Sequence, residues 1–194
     1  MTAALLVLLG VVIGFMLNVL KDIIFERRRR IQDGQHLAAR VVPVLADFMD
    51  ECRAVVHDTG GYETQSHGQD ELKPIASAPS RLTYPTDVDW RAIEHRLMLD
   101  ALALPAKLSA AHAAIDAIIE YVAGPPNYGE FFEERRLKFA DLIIKTSVVA
   151  DALRSQHGVW LEDCMSAEER DQLQSLISEV QRSIAEREQR NQEM

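Results

Sequence analysis

Residues 2–20 read TAALLVLLGVVIGFMLNVL, nineteen residues without a single charge, and four consecutive arginines follow within ten positions. At about 1.5 Å of rise per residue, a helix of this length spans roughly 28 Å, close to the hydrocarbon thickness of a bilayer. A helix also satisfies its backbone hydrogen bonds internally, which hydrocarbon demands. The segment therefore predicts a transmembrane helix. A buried core helix of a soluble protein is the competing reading, but uncharged runs this long are rare in soluble cores. A cleaved signal peptide would carry a basic leading region and a small-x-small cleavage site. The sequence has neither: it opens Met-Thr-Ala-Ala, and the apolar run is followed by Lys21-Asp22-Ile23-Ile24-Phe25-Glu26.

Charge asymmetry predicts the orientation. The net charge is −9, and splitting the chain at residue 30 separates +3 from −12. Lys21, Arg27, Arg28, Arg29 and Arg30 all lie C-terminal to the apolar run. By the positive-inside rule, the bulk of the chain is expected in the cytoplasm and a very short N-terminus outside, in a single-pass inner-membrane topology. The same five residues form a collar expected to contact anionic headgroups, at about 1 kcal/mol per residue near the surface. The acidic remainder argues against nucleic-acid backbone binding, so no nucleic-acid partner is expected.

Gly10 and Gly14 form a Gly-x-x-x-Gly pair, with Asn18 four residues further along the same helix face. Missing side chains let a second helix approach closely, and Asn in hydrocarbon seeks a polar partner. Self-association through Gly10, Gly14 and Asn18 is the expectation.

The rest of the chain predicts helices. Leu37, Val41, Val44, Leu45, Phe48, Cys52, Val55 and Val56 recur at steps of three and four, predicting a helix over about 35–57. It could continue the membrane helix, with a weak point at Asp33-Gly34 and a kink at Pro43. Residues 58–85 lose all periodicity and read as a long loop, flexible or functional. Thr86 or Asp87 could cap a next helix with Trp90, Ile93, Leu97, Ala101 and Leu104 inward. Pro105 then suits the first turn of another, lined by Leu108, Ala111, Ile115, Ile118, Ile119 and Val122. Residues 124–129 break the pattern. A helix over about 130–157 follows, with Phe132, Phe139, Leu142, Ile143, Thr146, Val149, Ala150 and Leu153 inward and Gly158 as its terminator. Ser166 and Glu169 form a capping box for a last helix carrying Leu173, Leu176, Ile177, Val180 and Ile184, expected to fray after about Ala185. No segment alternates as a strand does. The expected fold is all-α: an anchor with its collar over 1–30, a cytoplasmic bundle of four to five helices over 31–185, and a polar tail over 186–194.

Chemistry-bearing motifs are sparse. There is no phosphate-binding loop, dinucleotide fingerprint, nucleophile elbow or zinc motif. His112, Asp116 and Glu120 recur at four-residue intervals, which fits either a metal stripe or a solvated helix face, and the solvated face is the ordinary outcome. Cys52 and His57 with His67 and Asp70 match no standard metal spacing, and Cys52 sits on an apolar stripe where a buried thiol is expected. Both cysteines, Cys52 and Cys164, should be reduced in the cytoplasm. Glu134–Lys138 and Asp141–Lys145 read as helical ion pairs, leaving Arg135 and Arg136 at the surface. The spacing of Arg30 and His36 resembles the Arg–His pair of HEPN-type RNA nucleases. Ile31, however, stands where that family has a polar residue. No enzymatic activity, metal or cofactor is expected. The reading is a membrane-anchored scaffold or binding module for an unknown cytoplasmic protein. The alternatives are a pore-forming or bilayer-disrupting effector, as in bacterial conflict systems, and a tethered HEPN-like nuclease.

Overall fold

The computed structural model describes residues 2–64, 70–121, 129–159 and 164–192; residues 2–13, 63–64, 70–71, 188 and 191–192 are described by their backbone alone. Four α-helices account for most of the chain: α1 (Thr2–Val56), α2 (His95–Tyr121), α3 (Gly129–His157) and α4 (Ala167–Gln192). The all-α expectation holds.

Helix α1 is unbroken over 55 residues, about 82 Å. The expected weak point at Asp33-Gly34 is absent. Gly34 is instead a close-approach position: a Cβ there would lie 2.5 Å from the His157 ring. Pro43 is accommodated within the helix. It and Ala39 are both exposed, so the carbonyl that loses its donor faces water. From Leu37 to Val56 the predicted stripe is buried, with only Val44 partly so.

Helix α3 is the centre of the bundle, because α1, α2 and α4 each pack against it. Its apolar face is wide enough for three neighbours. All eight of its predicted inward residues are buried, together with Ala140, Ser147 and Arg135. Gly34 meets His157 and Asp58 meets Arg135, so α1 and α3 run antiparallel. Arg170 meets Asp151 while Arg187 meets Glu130 and Glu133, so α4 is antiparallel to α3 as well. Gly158 ends α3 with a positive φ of 64°. The Val159 N–H donates to the Arg154 carbonyl at 3.3 Å, the pattern of a Schellman terminus.

Several expectations are corrected. Residues 58–85 contain a short antiparallel ribbon, β1 (Gly61–Thr64) with β2 (Asp70–Lys73), pairing Gly61 with Lys73 and Thr64 with Asp70. Its strands, GYET and DELK, lack any apolar alternation, so sequence periodicity does not show it. The capping residue here is Asp89, not Thr86 or Asp87, and it caps a short turn ahead of α2, which begins only at His95. Asp89 accepts from the Arg91 N–H and starts a 3₁₀ turn, Trp90–Ala92. Asp87 pairs with Arg40 instead, at 3.4 Å. Pro105 does not open a helix but lies inside α2, which merges the two expected helices into one. Ile119 is exposed, not inward; Val122 lies outside the described residues. Arg135, expected at the surface, is buried by its pairing with Asp58. Helix α4 continues past Ala185 to Gln192 because Arg187 ties it to Glu130 and Glu133 of α3.

By length and composition, one helix among the described residues could cross a membrane, and it is α2. Within the fold its inner face of Leu97, Ala101, Leu104, Leu108, Ala111 and Ile115 packs into the core.

Candidate functional site at the junction of the long helix and the bundle

Helix α1 has two regimes. From Leu37 onward one face is buried, at 0–4% exposure, whereas residues 14–32 are exposed on every side. Phe15, Met16, Leu17, Leu20, Ile23, Ile24 and Phe25 are among the exposed residues, Phe15 at 69%. Among the described residues, no atom lies within 4 Å of where a Cβ on Gly14 would stand, so its face of the helix is open there. Asn18 is exposed on the same stripe, and Gly10 lies among the residues described by backbone alone.

The predicted collar sits where the apolar surface ends. Lys21, Arg27, Arg28, Arg29 and Arg30 are all exposed. The Lys21 ammonium lies 5.8 Å from the Phe25 ring centre, a contact that covers an aromatic face without removing the charge from solvent. Arg29 reaches Asp33 at 3.8 Å, a loose pair open to water.

Tertiary structure brings an additional arginine to this collar. The 3₁₀ turn Trp90–Ala92 lies against α1. It is held there by the Ala92 carbonyl close to Gly34, by buried Ile93 and by the Arg40–Asp87 pair. Arg91 is thereby placed beside Arg29 and Arg30, lining a groove of about 210 Å³ with Glu26, Asp33, Asp89 and Ala92. Arg91 and Asp89 were not among the predicted site residues. No local signal marks them, since they read as the entrance to a helix.

The His157 ring closes this end of the bundle against Gly34. Its Nε2 is buried and has no hydrogen-bond partner among the described residues. Burial holds its pKa below the ordinary histidine value, so the neutral ring is favoured.

At the opposite end of α1, Asp58 organises the turn into the β-ribbon. Its carboxylate accepts from the backbone N–H groups of Gly60 at 2.9 Å, Ile75 at 3.0 Å and Ala76 at 2.9 Å, and from Arg135 at 2.7 Å. Arg135 also donates to the Ala76 carbonyl. Burial alone would raise the Asp58 pKa, but the hydrogen bonds from Gly60, Arg135, Ala76 and Ile75 outweigh it and hold it below the usual carboxylate range.

The other predicted positions have structural surroundings. His112 does not stand on a solvated face. Its Nε2 lies 2.9 Å from the Pro79 carbonyl and its ring meets Phe139 edge-on. A carbonyl only accepts, so Nε2 carries the proton. Asp116 and Glu120 are exposed. Cys52 is fully buried, and burial raises its thiol pKa far above the ordinary value. His57 is exposed, and His67 lies outside the described residues. Among the described residues no three His, Cys, Asp or Glu side chains group as metal ligands. His36 is exposed and lies 4.0 Å from Asp87, while Arg30 lines the junction groove. Lys138 pairs with Glu134 at 3.1 Å and Lys145 with Asp141 at 2.5 Å, as expected.

No protein-family model, curated protein or solved structure matches the chain.

Proposed function

We propose that the chain is a single-pass membrane protein whose cytoplasmic helical domain binds or scaffolds another protein, as a homo-oligomer assembled through Gly10, Gly14 and Asn18. One observation carries the anchoring half of this reading: the exposed apolar side chains of α1 over residues 14–25, outside the bundle, in the same unbroken helix that supplies the buried stripe from Leu37 onward. A helix apolar on all sides and uncovered by protein is matched to hydrocarbon. Helix α2 is a weaker candidate to span the bilayer. Its inner face is in the core, and it is tied down by Tyr84 Oη on the Ala101 carbonyl and by His112 on Pro79. With the first part of α1 in the bilayer, Lys21 and Arg27 to Arg30 fall at the headgroups and the −12 domain on the cytoplasmic side.

The scaffold half rests on two candidate interaction surfaces: the open Gly14 face and the exposed apolar residues Leu99 and Leu102 of α2. Carbonate extraction of membranes tests the anchor, and release of the full chain into the soluble fraction would overturn it. A membrane two-hybrid assay tests self-association, with the signal expected to fall on Gly14→Ile. Dye leakage from cells that depends on the intact apolar segment would replace the scaffold by a bilayer-disrupting effector.

A further inference from the structure

The junction groove has a composition that a simple anionic-lipid collar does not need. Three guanidinium groups, from Arg29, Arg30 and Arg91, share it with three carboxylates, from Glu26, Asp33 and Asp89. A site for a purely anionic headgroup would leave the carboxylates opposed to the ligand. A site for a bare cation would leave the arginines so opposed. Equal numbers of both suit a ligand that carries both signs a few bonds apart. The arginines provide planar donor forks for phosphate oxygens. The carboxylates accept hydrogen bonds only from a cation with N–H donors, which a primary ammonium has and a quaternary one lacks.

We propose that this groove holds the headgroup of a phospholipid bearing a primary ammonium, with its phosphate on the arginines and its ammonium on the carboxylates. The inference rests on the membrane-anchored reading above, which puts the groove at headgroup level. The constituents are available for this: the Arg29–Asp33 pair is long and solvated, and Asp89 uses one oxygen to cap the 3₁₀ turn. The groove is also built by tertiary structure, since the turn carrying Arg91 is fixed against Gly34 and pinned by Arg40–Asp87. Zwitterionic recognition therefore depends on the folded bundle and not on the arginine run alone. A soluble phosphate ester with a primary amine shares this chemistry, so the test separates the two sources.

The full chain is reconstituted into nanodiscs of phosphatidylcholine alone, or with phosphatidylethanolamine or phosphatidylglycerol admixed, and its thermal midpoint is measured. Phosphatidylethanolamine should raise the midpoint by roughly 2–4 °C over phosphatidylcholine, with a smaller rise from phosphatidylglycerol. Arg91→Gln and, separately, Glu26→Gln should remove the ethanolamine-specific rise, read for each variant as the difference between its own midpoints in the phosphatidylethanolamine-containing and phosphatidylcholine-only discs. Equal midpoints in the two zwitterionic lipids would overturn the proposal. So would a larger rise with phosphatidylglycerol, which indicates a plain anionic collar. Free phosphoethanolamine reproducing the full rise in phosphatidylcholine discs would overturn the lipid source. Failure to enter nanodiscs, with carbonate release, would overturn the anchored reading itself, an outcome distinct from loss of lipid preference after insertion.

Discussion

The Arg135 guanidinium donates to the Asp58 carboxylate across 2.7 Å, with the two side chains 5% and 2% exposed. The pair joins the middle of the bundle to the distal end of the long helix. Asp58 also accepts from three backbone N–H groups, and Arg135 also donates to the Ala76 carbonyl. A buried ion pair stabilises only when its remaining donors and acceptors are satisfied in this way. Here the result is a polar clamp that fixes where the β-ribbon leaves α1.

Removing one partner leaves the other charge buried and alone. Asp58→Ala or Arg135→Ala should each cost about 3–5 kcal/mol, read as a lowered unfolding midpoint in detergent. The pH dependence follows from the depressed Asp58 pKa. The unfolded chain takes up the proton first, so the contribution is fully present above the unfolded pKa near 4. It is lost as pH falls through the lower folded pKa. Asp58→Asn should flatten the acid limb of the stability profile. An unchanged acid limb would show that other carboxylates carry it.

Gly34 and His157 should show a reversal of sign. In the wild-type background Gly34→Ala forces the new methyl into the His157 ring, an overpacking penalty of about 1–3 kcal/mol that outweighs the helix gain. With His157→Ala in place the same change should stabilise by about 1 kcal/mol, the ordinary helix preference of alanine over glycine. A double-mutant cycle of thermal midpoints measures it, and purely additive effects would disprove the contact.

The hydroxyl of Thr146 is buried in α3 with no hydrogen-bond partner among the described residues. Valine keeps the shape and removes the stranded polar group. Thr146→Val should therefore raise the unfolding midpoint, by an amount corresponding to about 1 kcal/mol. A destabilised variant would reveal a partner for the hydroxyl, such as an ordered water.

Thiol reactivity should separate the two cysteines by access. Cys52 is fully buried and Cys164 only partly so, although burial raises both thiol pKa values. Maleimide labelling of the folded protein should modify Cys164 slowly and leave Cys52 untouched until denaturant is added. Equal rates would mean that α1 and α3 separate readily in the native state.

Local periodicity carried a large share of the fold. The inward stripes of α1 and α3 are legible because each depends only on which apolar residues repeat along one helix, and the structure buries them as read. The Ser166 cap is legible for the same reason: its Oγ accepts from the Glu169 N–H three residues away, at 3.0 Å. The Glu169 side chain, by contrast, turns to Arg53 of α1 at 2.5 Å, a partner 116 positions distant.

The sequence by itself determined the uncharged apolar run, its arginine border, the helical class and most of the core, because each arises from residues a few positions apart. Tertiary structure decided what depends on distant residues meeting. Arg135 went inside because Asp58 was waiting for it, and a lone buried charge would not be tolerated. Pro105 stayed within α2 rather than starting a helix. Gly34 served close packing against His157 rather than a break. Arg91 joined the collar because a 3₁₀ turn was pinned beside α1. For Arg135, Gly34 and Arg91, a partner far along the chain set the outcome.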